Sequence, residues 1–133
     1  MIIYKSDCIT LTYHEADKLI EATWHTYAAS KEYRAALLQY VEALKHYEVR
    51  RWLGDYRQAR VVRVADQNWT TREWGALFFP HCMKLEKMSR VKATDVSARI
   101  SFDNMSQYMS PSQMPFNFKE FEEYDAAREW VLG

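Results

Sequence analysis

Asp55 and Arg57 are the pair of residues in this chain with the clearest chemical potential. They follow a hydrophobic run, and open α/β sheets place ligands at the carboxyl ends of their strands. An arginine fork there can hold an anion or a partner's carboxylate. Tyr56, Arg60 and Trp69 are near enough in sequence to line the same edge, so these five form the first candidate site. The commoner role of such a pair is an ion pair that locks a strand-to-helix turn. Five tryptophans are spread over separate segments, and most are expected in the core, where each buries well over ~100 Å². One or two are left for an apolar pocket. Trp74 with Met105 and Met109 forms that second candidate, because methionines suit irregular gaps and adaptable contacts. Pro111 and Pro115 around Met109 and Met114 suggest a mobile flap.

Other chemistries find little support. Cys82 beside His81 is the only local hint of a nucleophile and base, but helical neighbours point roughly 100° apart. His14, His25 and His46 have no metal-ligand spacing. Gly54, Gly75 and Gly133 are the only glycines, too few and too scattered for a phosphate-cradling loop. The expectation is a protein with no catalytic residues, no metal and no cofactor, and not an enzyme.

The elements that must position these residues are legible in part. Ile2 to Tyr4, Cys8 to Tyr13 and Leu19 to Trp24 read as strands, the second with period-two alternation and the third antiparallel to it across a turn at 14–17. Ser30 suits a helix N-cap. Tyr33, Leu37, Tyr40, Val41, Leu44 and Tyr47 then mark one face of a helix reaching Glu48. Val49 to Tyr56 follows as a strand. Asp66 is expected to cap a second helix carrying Trp69, Trp74, Leu77 and Phe78, with Thr70 and Glu73 at capping-box spacing and Pro80 near its end. Arg90 to Val96 reads as a strand, Ser101 to Met109 as a helix, Phe116 to Phe118 as a short edge strand and Tyr124 to Leu132 as a closing helix. The fold class is therefore α/β. One domain over residues 1–133 is expected, with a mixed sheet of about five strands, antiparallel first and parallel later, covered by about four helices.

This order resembles the STAS-like, or SpoIIAA-like, superfamily over nearly the whole chain. The resemblance rests on the helix 30–48 leading into Val49-Arg50-Arg51-Trp52-Leu53-Gly54-Asp55-Tyr56-Arg57. It rests also on Asp66-Gln67-Asn68-Trp69 followed by Phe79-Pro80, and on Phe118 with the segment Tyr124 to Leu132. It points to a bacterial branch of unassigned function and implies a non-enzymatic regulatory or protein-interaction domain. Better-known relatives, the anti-anti-sigma factors, are switched by phosphorylation of a serine just after the central strand. Here Asp55-Tyr56-Arg57-Gln58-Ala59 has no serine or threonine, so that switch does not carry over.

Composition bounds the partners. Lys plus Arg equals Asp plus Glu at 18 each, so the chain has no bulk attraction for nucleic acid or anionic lipid. Charge is uneven, basic over 50–63 and acidic over 119–129. No apolar run approaches the ~18 residues of a membrane span. The absence of a leader before Lys5 and Asp7, with two cysteines, favours a cytoplasmic protein with free, buried thiols. The leading expectation is a protein partner held at Asp55, Arg57 and the following helix. The alternative is a small apolar, lipid-like ligand held among aromatic and methionine side chains. A homodimer is the assembly that symmetry favours.

Overall fold

A computed structural model describes residues 1–108 and 114–133. Three strands come first: β1 (Ile2–Lys5), β2 (Ile9–His14) and β3 (Leu19–Trp24), antiparallel to one another. The turn between β2 and β3 closes on Lys18, which takes a left-handed conformation (φ 53°). From β3 onward every neighbour is parallel. Helix α1 (Ser30–His46) leads to β4 (Arg51–Asp55), and α4 (Val96–Ser106) joins β5 (Lys87–Val91) to β6 (Asn117–Phe121). Between β4 and β5 lie α2 (Val64–Trp69), a π turn (Thr70–Trp74) and α3 (Gly75–Phe78), joined end to end in helical backbone geometry. Helix α5 (Tyr124–Leu132) closes the chain.

The described strands number six, close to the expected five or so and one for each segment read as a strand, in the order β1-β2-β3-β4-β5-β6. Each parallel crossover advances one strand in the same direction, so crossovers of the usual right hand all lie on the same face. The core shows this arrangement. Ile9, Leu11, Ile20, Trp24 and Trp52 on that face pack with Tyr33, Leu37 and Tyr40 of α1, with Trp74 and Phe78, and with Met105 of α4. The opposite face carries a smaller core, in which Leu19, Leu53 and Val91 meet Ala127 and Val131 of α5. Cys8 and Cys82 are free and buried. No helix among the described residues is long and apolar enough to cross a membrane.

Several boundaries differ from expectation, for physical reasons. The N-cap of α1 is Ala29, not Ser30, because the Ser30 hydroxyl donates instead to Asp66 Oδ2 at 2.7 Å. Asp66 does not cap α2, which starts earlier, at Val64. Its carboxylate, 1% exposed, also accepts from Arg34 Nε at 2.9 Å, so it fastens α2 to α1. The Thr70–Glu73 capping box does not form. Thr70 sits in the π turn, and its hydroxyl donates back to Asp66 O at 2.7 Å. Strand β4 begins only at Arg51. Strand β5 lies three residues before the expected segment, since Ser89 and Arg90 face inward and hide the apolar alternation. The expected helix from Ser101 begins at Val96, where Asp95 accepts from Ala98 N as a true N-cap. The edge strand extends to Phe121. The flap expected around Pro111 lies outside the described residues.

Replacing the buried Asp66 strands Ser30 and Arg34 without their acceptor. Asp66→Ala is expected to cost about 2–3 kcal/mol in urea unfolding, the range for lost hydrogen bonds to a charged group. A loss below about 0.5 kcal/mol, the range of an ordinary surface change, would contradict this role.

Candidate functional site

Side chains alternate along β4, and that alternation divides the first candidate site. Asp55 faces α5 and is 5% exposed. Arg57 donates to it from Nε (2.9 Å) and Nη2 (2.7 Å), and the Arg57 amide adds a third bond at 3.2 Å. The guanidinium lies 5.0 Å over the Tyr124 ring. The hydrogen bonds to Asp55 hold its charge even more firmly than usual. Thr94 bonds the Arg57 carbonyl through both its amide and its hydroxyl. The pair thus locks the end of β4 to α5 and to the start of the α4 segment. Tyr56 points to the opposite face. Arg60 borders a separate small hollow with Thr26 and Val61, and Trp69 packs under Arg34 at 5.1 Å. Of the five residues expected together, only Asp55 and Arg57 meet; Tyr56, Arg60 and Trp69 lie at separate places. The strand order also never reverses, so there is no switch-point crevice beside Asp55.

The second candidate fares differently. Trp74 and Met105 line one cavity of ≈ 150 Å³ between the sheet and the crossover helices. Met109 lies outside the described residues. The cavity follows from the cross-strand rows. On this face Ile20, Trp52, Met88 and Phe118 form one row of large side chains, while the next row reads Ala22, Gly54, Arg90, Glu120. Ala22 and Gly54 put no large side chain of their own between Trp24 and Trp52, and the Tyr56 ring lies over Gly54. Tyr33, Leu37 and Tyr40 of α1, Trp74 and Phe78 after the π turn, and Phe102 and Met105 of α4 roof the gap. Trp24, Tyr33, Tyr40 and Trp52 form a buried end, whereas Met88, Phe102, Ser106, Met114 and Phe118 are partly exposed.

The walls pair several of their own polar groups, while Ser89 Oγ is buried with no partner among the described residues. Trp24 Nε1 donates to Tyr40 Oη at 3.0 Å, the Tyr33 hydroxyl pairs with Thr70 Oγ1 at 2.8 Å, and Trp74 Nε1 donates to Leu37 O at 2.6 Å. Burial pushes the Tyr33 and Tyr40 phenols well above the usual tyrosine range, and the nearby Tyr56 adds to the rise at Tyr40. The rest of the lining is aromatic rings, methionines, Leu37, Ser89, Ser106 and one charged side chain, Arg90. Among the described residues no group of three His, Cys, Asp or Glu is placed to hold a metal. The arrangement can enclose an apolar body, and the described residues of its wall present no nucleophile paired with a base.

Sequence inspection missed Gly54, Arg90, Met88, Phe102 and Phe118 as wall residues. For Gly54 a signal existed, since period-two alternation puts Trp52, Gly54 and Tyr56 on one face, with a gap at the middle position. A Cβ at Gly54 would lie 2.8 Å from Tyr56 Cε1, so the ring crosses where a side chain would stand.

No protein-family model matches the chain, and no curated protein matches it. Among solved structures, an uncharacterized protein of the DUF3478 family with a SpoIIAA-like fold, from Shewanella loihica PV-4, matches with a TM-score of 0.60. The match covers 96% of this chain and 98% of that one, at 14% identity. The chain therefore has a SpoIIAA-like fold, as the sequence resemblance implied.

Gly54→Ala is expected to displace the Tyr56 ring and to cost about 1–3 kcal/mol, the range for overpacking a filled site. Unchanged stability with an unmoved ring would refute the crowding. The phenols supply a second expectation. A raised folded-state value means the neutral form is favoured on folding, so this stability is whole below the ordinary tyrosine value of 10.0 and is lost as pH rises above it. Tyr124, pushed up to about 12 mainly by burial and then by its bond to Glu21, behaves likewise. The share of phenolate absorbance belonging to Tyr33, Tyr40 and Tyr124 should therefore lag behind free tyrosine above pH 10.0 and appear together with unfolding. A titration following free tyrosine throughout, with the fold intact, would contradict the burial.

Proposed function

We propose that this protein binds a small, largely apolar ligand between its sheet and its crossover helices, without chemistry on it. The observation that carries this reading is the ≈ 150 Å³ space walled by Trp24, Trp52, Trp74 and the surrounding tyrosines, phenylalanines and methionines. Apolar cavities of about this size stay dry and accept a benzene-sized molecule. Filling one regains contacts that its walls otherwise lack. Ligand sites are commonly apolar, with a few polar groups for orientation. The partly exposed side at Met88, Phe102 and Met114 suits entry, and methionines can repack around different shapes.

A regulatory, partner-binding role of the STAS-like kind has less behind it. Its proposed contact, Arg57, spends its fork on Asp55 and its face on Tyr124, although its side chain is still 48% exposed. A partner would have to compete with a bidentate bond already made. The lack of a serine or threonine in 55–59 also leaves that segment without a phosphorylation switch.

Native mass spectrometry of freshly purified protein, followed by titration with toluene read by tryptophan fluorescence, tests the ligand reading. Saturable binding of one equivalent is expected, with Met88→Trp, which fills the space, weakening it about tenfold or more, the equivalent of ~1.4 kcal/mol. Bare protein that also fails to bind toluene would sink the reading. Loss of a copurifying protein on Arg57→Glu would favour partner binding instead.

A further inference from the structure

We infer that the preferred ligand is a small apolar acid, with its hydrocarbon or aryl body in the cavity and one carboxylate held by Arg90. This rests on the ligand-binding reading above and deepens it. Arg90 is the sole formal charge on the described cavity wall. It occupies the same cross-strand row as Gly54, one strand on, with its guanidinium beside Glu120 and Phe118 of β6 and Ser106 of α4. Its side chain is only 13% exposed, and its guanidinium carbon sits 5.6, 5.8 and 5.1 Å from the rings of Tyr56, Phe102 and Phe118. Three rings hold one cation at the boundary between the cavity and the surface.

The guanidinium is only partly satisfied by the protein. Nε donates to Glu120 at 3.1 Å and Nη2 to Ser106 Oγ at 3.0 Å, leaving Nη1 without a hydrogen bond among the described residues. Glu120 does not line the cavity. It lines an adjoining cleft of ≈ 50 Å³ that shares Tyr56, Arg90 and Phe102 with the cavity. That cleft also holds Asp103 with Lys92 and Arg99, which pair with Glu122 at 3.7 and 2.8 Å. Seen from the cavity, Arg90 is a positive charge in surroundings of low polarity, where a charge-assisted bond is strong. A neutral hydrocarbon would add nothing to the bonds with Glu120 and Ser106, whereas a carboxylate would give the guanidinium a further charge-assisted bond.

Matched probes test this. 3-Phenylpropionate and its neutral counterpart 3-phenylpropanamide share one aryl body and differ in charge. Tryptophan fluorescence titration near neutral pH and low salt is expected to show the acid binding about tenfold more tightly than the amide. Arg90→Met should bring the acid-to-amide ratio close to one. Glu120→Gln, which removes the competing carboxylate, should raise the ratio several-fold and decides the matter if Arg90→Met does not fold. Binding of the amide with no preference for the acid, or a ratio indifferent to both substitutions, overturns the assignment to Arg90 while leaving the cavity reading intact. Saturable binding of neither probe overturns both.

Discussion

The one-way advance of the parallel strands is the constraint on which the rest of this molecule depends. Each crossover from β3 to β6 moves to the next strand on the same side, so α1, the α2–α3 rod and α4 share one face of the sheet. Three helical connections on one face cannot all seat equally deeply on a twisted surface. Large aromatic side chains fill most of the separation. Where the sheet offers only Ala22 and Gly54, they bridge over it and leave a space. The cavity is thus a consequence of topology combined with two small residues, Ala22 and Gly54, side by side in one row.

Polar contacts then hold this layer in place. Asp66 draws Ser30 and Arg34 onto α2, and Thr70, at the start of the π turn, bonds both Asp66 and Tyr33. A π turn widens the helix by one residue, and such widenings recur beside functional sites. Here it lies between Thr70 and Trp74, both on the cavity wall. On the opposite face, the Asp55–Arg57 pair clamps the end of β4 beneath Tyr124, whose hydroxyl reaches Glu21 at 2.9 Å. That face is sealed by a single helix, and its ion pair serves the seal.

Legibility in the sequence followed the strength of local periodicity. Helix α1, strands β2 and β3 and helix α5 were plain because their buried residues recur at regular steps. Strand β5 was displaced by three residues because an inward arginine and serine mimic an exposed edge. The N-cap role given to Ser30 and Asp66 failed for one shared reason: the two side chains satisfy each other across thirty-six residues, and no local rule weighs a partner that distant. For the site, Trp74 and Met105 were legible from composition, while Gly54 and Arg90 were not, since their importance lies in what stands beside them in neighbouring strands.

Amino-acid order alone therefore determined the α/β class, the mixed sheet and the resemblance to SpoIIAA-like domains, because these depend on patterns a few residues long. Tertiary structure alone decided that Arg60 and Trp69 stand apart from Asp55 and Arg57, and that a cation stands on the wall of an aromatic cavity. Side-chain alternation and cross-strand register set these outcomes, and register is a relation between segments that no single segment encodes.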